Sequence, residues 1–110
     1  TGRHTSAQYE FFAHAPIGID EGLDPAIVEA VRTKQEPSFN DEKAETVYRF
    51  AKQMNEKHNV DDATFEAAVA QFGHPGVVEL VVLCGYYTLI AMTLNSFRIT
   101  PPEGEEPFSD

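Results

Sequence analysis

The sequence predicts an all-α fold, and three observations favour it. In several segments the apolar residues recur at steps of three and four, which is the spacing of one face of a helix. Aspartate or asparagine precedes these segments as a helix cap, and glycine or proline follows them. The one valine-rich run that resembles a strand, residues 77–83, continues to Met92 without turn residues, which favours a helix.

The first helical segment covers about residues 4–21 and ends at Gly22, a natural helix stop. Pro16 lies inside this segment and cannot donate a hydrogen bond to the carbonyl of Phe12. We therefore expect a kink, or a break into two shorter helices, just after His14.

Three further segments begin at a capping residue and end at a helix-terminating position. They begin at Asp24, Asp41 and Asp61, and they end before Pro37, near Lys57 and at Gly73.

The last helix begins at Pro75 and carries no charged residue from Leu80 to Leu94. Because a membrane span needs ~20 apolar residues, we expect a core helix that is buried on most sides and not a membrane span. The tail is proline-rich and acidic, which is typical of an irregular arm over the surface or toward a neighbouring subunit. The predicted organisation is a helical domain over residues 1–100 and an arm over residues 101–110.

Charge and cysteine content exclude several classes of protein. Eight Lys and Arg stand against 18 Asp and Glu in 110 residues, a formal net charge of −10. This excess opposes binding to nucleic-acid phosphates and to anionic membranes. Cys84 is the single cysteine and cannot close a disulfide within the chain, which favours the reducing cytoplasm. We expect a cytoplasmic protein that binds neither nucleic acid nor membrane.

Glu10 and His14 form the candidate chemical pair. At a spacing of i, i+4 on a helix their side chains share one face and can meet. A carboxylate beside an imidazole can fix its tautomer and support proton transfer. The same spacing is also common between exposed side chains that have no chemical role. The aromatic neighbours Tyr9, Phe11 and Phe12 are compatible with a third interpretation, a buried ion pair whose role is structural. The residues alone leave these interpretations open.

No metal site is predicted. His4 and His14 are out of alignment on an ideal helix and belong to no HExxH motif. His58 and His74 stand at helix ends, where histidine often contacts terminal carbonyls. Cys84 has no basic neighbour and is expected to be a small buried hydrophobe.

Tyr86, Tyr87 and Asn95 bring polar groups into the apolar helix, where each needs a hydrogen-bond partner. These residues could line a pocket, or they could form hydrogen bonds within the core or at a contact between subunits. Gly85 and Ala91 would allow another helix to approach closely.

Three segments, in this order, carry a resemblance to a known family: QYEFFAHAPIG, ETVYRFAKQMNEKHNVDDATFEAAVAQFG and GVVELVVLCGYYTLIAMTLNSF. They resemble the carboxymuconolactone decarboxylase family, which also contains the alkylhydroperoxidase D proteins, over about residues 3–99. The resemblance implies an alkylhydroperoxidase D-like helical bundle that assembles as a trimer or hexamer, partly on the long apolar helix. It also implies that part of the family's amino-terminal helical segment would precede Thr1.

The peroxidase branch of that family carries a CxxCxxxH motif. Aligned on His14, its two cysteine positions fall on Ala7 and Glu10. Thiol–disulfide exchange needs both an attacking and a resolving cysteine, so the sequence resembles the branch without this motif and a disulfide-based peroxidase is disfavoured.

The decarboxylase branch implies a cofactor-independent lyase or isomerase that acts on a small lactone or keto acid. Under this resemblance His14 is the general acid and base, Glu10 orients it, and Tyr9 or Tyr86 offers a hydroxyl to the substrate. Two alternatives stay open: a peroxidase-related protein without the redox cysteine pair, and a non-catalytic helical oligomeric subunit or binding module.

Overall fold

The structure is a computed structural model that describes residues 1–110, and it contains helices and no strands. The prediction of an all-α protein is confirmed. The four helices are α1 (Gln8–Asp20), α2 (Pro25–Arg32), α3 (Glu42–Lys57) and α4 (Asp62–Ser96).

The predicted caps are present at the starts of the last three helices. The carboxylates of Asp24 and Asp41 each accept a hydrogen bond of 2.9 Å from the backbone N–H two residues later. Asp61 accepts one of 2.8 Å from the N–H of Thr64. These contacts satisfy N–H groups that the first turn of a helix leaves without a partner.

Helix α1 corrects two expectations. It begins at Gln8, because residues 2–6 form turns and Ser6 has a positive φ of 53°. It also continues through Pro16 to Asp20, so the predicted break into two helices after His14 is wrong. The fixed φ of proline is compatible with a helix, and only its own hydrogen bond is lost.

Contacts divide the chain into two units, and the first consists of Thr1 and Phe39–Thr88. Its core contains Phe50 of α3 and Ala68 and Val77 of α4, all buried. Four partly buried side chains pack against this core, namely Met54, Val60, Val69 and Leu80.

The second unit consists of Gly2–Ser38 and Leu89–Asp110. The tail 101–110 has no helix or strand, as the sequence predicts for an irregular arm. Its Phe108 is buried, and its ring meets the ring of Phe11 edge to face with centroids 5.6 Å apart. One aromatic side chain therefore anchors the arm within this unit.

Helix α4 has 35 residues and is interrupted at Gly73, where φ is 69° and ψ is 173°. Only glycine adopts this backbone conformation readily. The helix stop predicted at Gly73 is thus present as a kink between two helical stretches.

The second half of α4 corrects the expectation of a buried core helix. Six of its large side chains are at least half exposed: Val78 62%, Val82 61%, Leu83 51%, Tyr86 54%, Leu89 59% and Met92 65%. By length and composition alone α4 is also able to cross a membrane, a test that core helices of soluble proteins pass as well. An apolar sequence shows that burial of the helix would be favourable. It does not show that other residues of the same chain bury it.

Candidate functional site

Glu10 is the one buried residue of α1, and its side chain is only 4% exposed. The turn before the helix brings the chain back toward it, closed by a hydrogen bond of 2.9 Å from the N–H of Ala7 to the carbonyl of Gly2. A Cβ atom at Gly2 would lie 3.2 Å from Oε1 of Glu10, so a glycine suits this close approach. The carboxyl group is thus enclosed by the chain's own first residues.

The carboxyl group of Glu10 lacks the hydrogen bonds that a buried polar group usually makes. Its Oε2 is buried and has no hydrogen-bond partner, which is uncommon in a folded protein and disfavours the ionised form. Burial raises the pKa of Glu10, and the positive charges of the amino terminus and, less strongly, of His14 act in the opposite direction. Because burial is the larger effect, this carboxyl group keeps its proton to a higher pH than an ordinary glutamate.

His14 lies one turn further along α1 and is exposed. Its Nδ1 is 2.9 Å from the backbone carbonyl oxygen of Glu10. A carbonyl oxygen can only accept, so we assign the proton to Nδ1, which leaves Nε2 as the basic nitrogen of the neutral ring. This contact orients the imidazole through the main chain of Glu10, whereas the sequence suggested its carboxylate.

The two tyrosines predicted to bind substrate lie in different units. Tyr9 is on α1 beside Glu10, is 40% exposed and packs against Phe12 with ring centroids 6.1 Å apart. Tyr86 belongs to the first unit, on α4, where its ring meets that of Tyr87 edge to face at 5.3 Å. The candidate site in the second unit therefore comprises Glu10, His14 and Tyr9.

Sequence reasoning missed Arg3, which is 7% exposed. Its Nε donates to the backbone carbonyl of Arg32 at 2.7 Å, and its Nη2 donates to both carboxylate oxygens of Asp110 at 2.7 and 2.9 Å. The guanidinium also lies over the ring of Phe108, 4.2 Å from its centroid, a favourable cation–π contact. Arg3 therefore holds the arm to the start of the second unit.

Gln8 makes a second connection to the same arm. Its Nε2 donates to the carbonyl of Phe108 at 2.5 Å, and the N–H of Phe108 donates to its Oε1 at 3.3 Å. The contacts of Arg3 and Gln8 join positions about 100 residues apart in the chain. No local sequence pattern predicts such a pairing. The only general indication is that a basic residue near one end of the chain and an acidic arm at the other have opposite charges.

The arm's aspartate is strongly perturbed. Hydrogen bonds from Arg3 and Lys34 lower the pKa of Asp110 to about 2, because both cations favour its ionised form. Asp110 is therefore an anion at every physiological pH, whereas the buried Glu10 has its pKa raised.

Other chemistry-bearing residues do not form a site of this kind. Cys84 is partly buried, and burial raises the pKa of its thiol, which disfavours the reactive thiolate. No group of three or more His, Cys, Asp and Glu side chains is arranged to hold a metal ion.

A groove of about 410 Å³ lies in the first unit, between α3 and the start of α4. Its polar side chains are engaged with one another: Arg49 pairs with Glu45 at 2.6 Å, and Gln53 donates to Asp61 at 3.1 Å and to Thr64 at 2.9 Å. The contacts of Gln53 connect α3 to the cap of α4, and the Arg49–Glu45 pair lies within α3, so both have structural roles.

Comparison of this chain with protein-family models, with curated proteins and with solved structures finds no match. Glu10 and His14 are therefore the residues of this chain that bear most directly on a function.

Proposed function

We propose that the chain is a cofactor-independent carboxy-lyase of the carboxymuconolactone decarboxylase type, acting on a small lactone or keto acid. One observation carries the proposal: a buried carboxyl group with a raised pKa lies one helical turn from an exposed, oriented imidazole. Two titratable groups in such different environments suit an acid and a base that act together. The substrate class comes from the resemblance of the sequence to that family.

The reaction consumes one proton and releases carbon dioxide. The bond between the ring carbon and the carboxylate breaks, and its electron pair passes through the conjugated double bond to the lactone carbonyl, giving a dienolate. Protonation of that dienolate on carbon gives the enol-lactone. In this scheme the exposed His14 delivers the proton and takes it up again from solvent, and the buried Glu10 lies one turn away on the same helix.

We infer that Tyr9 contributes a hydroxyl group to the substrate, as the resemblance implies. It lies on the same helix and is partly exposed, so a bound acid can reach it. A hydroxyl donor near the lactone carbonyl would stabilise the charge that develops on the oxygen. The proposal extends to an alkylhydroperoxidase D-like bundle that self-assembles in the cytoplasm, as the resemblance implies.

The test is turnover of 4-carboxymuconolactone and related lactone and keto acids, followed by release of carbon dioxide. The variants are Glu10→Gln and His14→Asn, with His4→Asn as a matched control because His4 is also exposed and lies before α1. We expect both site variants to lose about 100-fold or more in rate and the control to keep its rate. Full activity of His14→Asn, or no turnover of any acid by the unaltered chain, would overturn the proposal.

A second candidate is a non-catalytic helical subunit, favoured by the exposed apolar side chains of α4. In that case Glu10 and His14 would be a structural pair and no acid would turn over. The third interpretation, a peroxidase-related protein, predicts background activity with hydroperoxide and thiol, since the redox cysteine pair is missing.

A further inference from the structure

The end of the arm lies against side chains from the start of the chain and from the region of α2. Five of them, which we call the arm cradle, are Arg3, Gln8, Phe11, Arg32 and Lys34. The cradle and the arm both belong to the second unit. The contacts reach Pro107, Phe108 and Asp110, whereas Ser109 is exposed. The cradle therefore holds a segment of four residues by three of them.

Two side chains of the cradle bind the main chain of the arm. The amide of Gln8 donates to the carbonyl of Phe108 at 2.5 Å and accepts from its N–H at 3.3 Å. Nη1 of Arg32 donates to the carbonyl of Pro107 at 3.0 Å. Every peptide carries such backbone groups, and main-chain hydrogen bonds of this kind are a recurring means of peptide recognition. These contacts favour a peptide as the ligand of the cradle.

The remaining contacts select two side chains of the segment. The buried ring of Phe108 meets the ring of Phe11, with centroids 5.6 Å apart, and the guanidinium of Arg3, 4.2 Å from its own centroid. The carboxylate of Asp110 accepts hydrogen bonds of 2.7 and 2.9 Å from Nη2 of Arg3 and lies 3.2 Å from Nζ of Lys34. Because one guanidinium contacts both groups, they lie on the same side of the arm. The cradle therefore selects an aromatic residue followed, two positions later, by an acid.

The arm does not use all the hydrogen-bonding capacity of Arg3. This side chain is 7% exposed, and its Nη1 is buried without a hydrogen-bond partner, which is uncommon and unfavourable in a folded protein. The side chain of Asp110 is 60% exposed although two cations hold it. A ligand that offers one further acceptor oxygen can therefore bind the cradle more tightly than the arm does.

We propose that the arm cradle is the binding site for an acidic segment of a partner protein, with an aromatic residue two positions before an aspartate. In the absence of the partner, the chain's own arm occupies the cradle. A short flexible tether gives such an arm an effective concentration on the order of 1 mM. The arm therefore lowers the apparent affinity for the partner in proportion to the fraction of cradles that stay free.

The first test measures binding of a fluorescein-labelled, amidated peptide with the sequence GEEPFSD by fluorescence anisotropy. The protein is the full chain, either unaltered or with Phe108→Ala and Asp110→Asn together, which removes both side chains by which the arm competes. We expect the double variant to bind the peptide about 10-fold or more tightly than the unaltered chain. Phe97→Ala is the matched control, because Phe97 is 76% exposed in the same unit, and it should leave the affinity unchanged. A double variant that is folded by circular dichroism and does not bind the peptide would overturn the proposal.

Changes in the peptide test the same contacts without altering the protein. Alanine in place of its phenylalanine, or asparagine in place of its aspartate, should each weaken binding about 10-fold, because the ring contacts or the charged hydrogen bonds are lost. Alanine in place of its serine should leave binding unchanged, since Ser109 is exposed. Equal affinities for all four peptides would contradict the proposed selection of side chains.

A third measurement needs no variant of the protein. Unlabelled peptide at about 10 mM, roughly ten times the effective concentration of the tethered arm, should displace most of the arm from the unaltered chain. The nuclear magnetic resonance signal of the Phe108 amide, which donates to Gln8, reports this displacement, and a signal that does not change would overturn the proposal. Light scattering on the same samples detects exchange of arms between copies. A dimer that is lost in the double variant would identify a second copy as the occupant and would equally overturn the proposal.

Discussion

The start of α1 and the second half of α4 depart from the usual distribution of residues in opposite ways. Near the start of α1, Glu10 is an ionisable side chain that is 4% exposed, whereas on α4 apolar side chains such as Leu89 and Met92 are 59% and 65% exposed. Each arrangement costs free energy in the isolated chain. The two regions therefore carry opposite costs: an ionisable group removed from water at Glu10, and apolar side chains left in water on α4.

An ordinary buried residue provides the scale for this comparison. Phe50 is 1% exposed in the core of the first unit, so Phe50→Ala should lower the free energy of unfolding by about 3–5 kcal/mol. Leu89→Ala removes a similar apolar group from an exposed position and should change it by less than about 0.5 kcal/mol. Urea denaturation at low protein concentration measures both changes. Equal losses for the two variants would show that α4 is covered within a single chain.

Arg3 should give the second largest effect. Arg3→Ala removes hydrogen bonds to the carbonyl of Arg32 and to Asp110, and the contact with Phe108. We expect a loss of about 2–3 kcal/mol in the free energy of unfolding. Arg49→Ala is the control, because Arg49 is 63% exposed and pairs with Glu45 one turn away, and it should cost about 0.3–0.5 kcal/mol. Similar costs for both would mean that Arg3 does not hold the arm.

Glu10 should make stability depend on pH. Because burial raises its pKa in the folded state, the folded state binds the proton more tightly than the unfolded state. The free energy of unfolding should therefore decrease as pH rises from the ordinary glutamate pKa of about 4.3 through the raised value. Glu10→Gln should remove this decrease, and Glu103→Gln, an exposed control, should retain it. An unchanged pH profile in Glu10→Gln would contradict the prediction.

Asp110 should give the smallest effect, with the opposite sign. Its pKa is lowered to about 2, so its contribution to stability is present above the ordinary aspartate pKa of about 3.9 and is lost as pH falls toward 2. Asp110→Asn should flatten the stability profile in that acidic range, as followed by circular dichroism. A steeper acid transition in this variant would contradict the assignment of the Arg3 contact.

Local signals predicted much of the fold. Caps at Asp24, Asp41 and Asp61 and the stop at Gly73 depend on residues within one turn, and the structure contains all four. The burial of α4 depends on which other parts of the molecule pack against it, and its sequence does not contain that information. The apolar run alone therefore led to the wrong expectation of a buried core helix. The break at Pro16 was also wrong, because the loss of one hydrogen bond did not interrupt α1.

The sequence predicted which residues belong to the candidate site, but it did not predict the contacts that they make. The i, i+4 spacing placed Glu10 and His14 on one helix, but the contact between them runs from Nδ1 to the carbonyl of Glu10. The burial of the carboxyl group arises from the turn at residues 2–6, where Ala7 bonds back to Gly2. The role of Arg3 was not predicted because its partner Asp110 is 107 residues away. A single sequence has no local pattern that pairs residues at such a distance.

The candidate site depends most on the burial of the Glu10 carboxyl group, which raises its pKa. A carbon-13 NMR titration of the side-chain carboxyl of Glu10, assigned by its loss in Glu10→Gln, measures this directly. We expect a midpoint clearly above the ordinary glutamate value of about 4.3. A midpoint at or below that value would show that burial does not raise the pKa of Glu10.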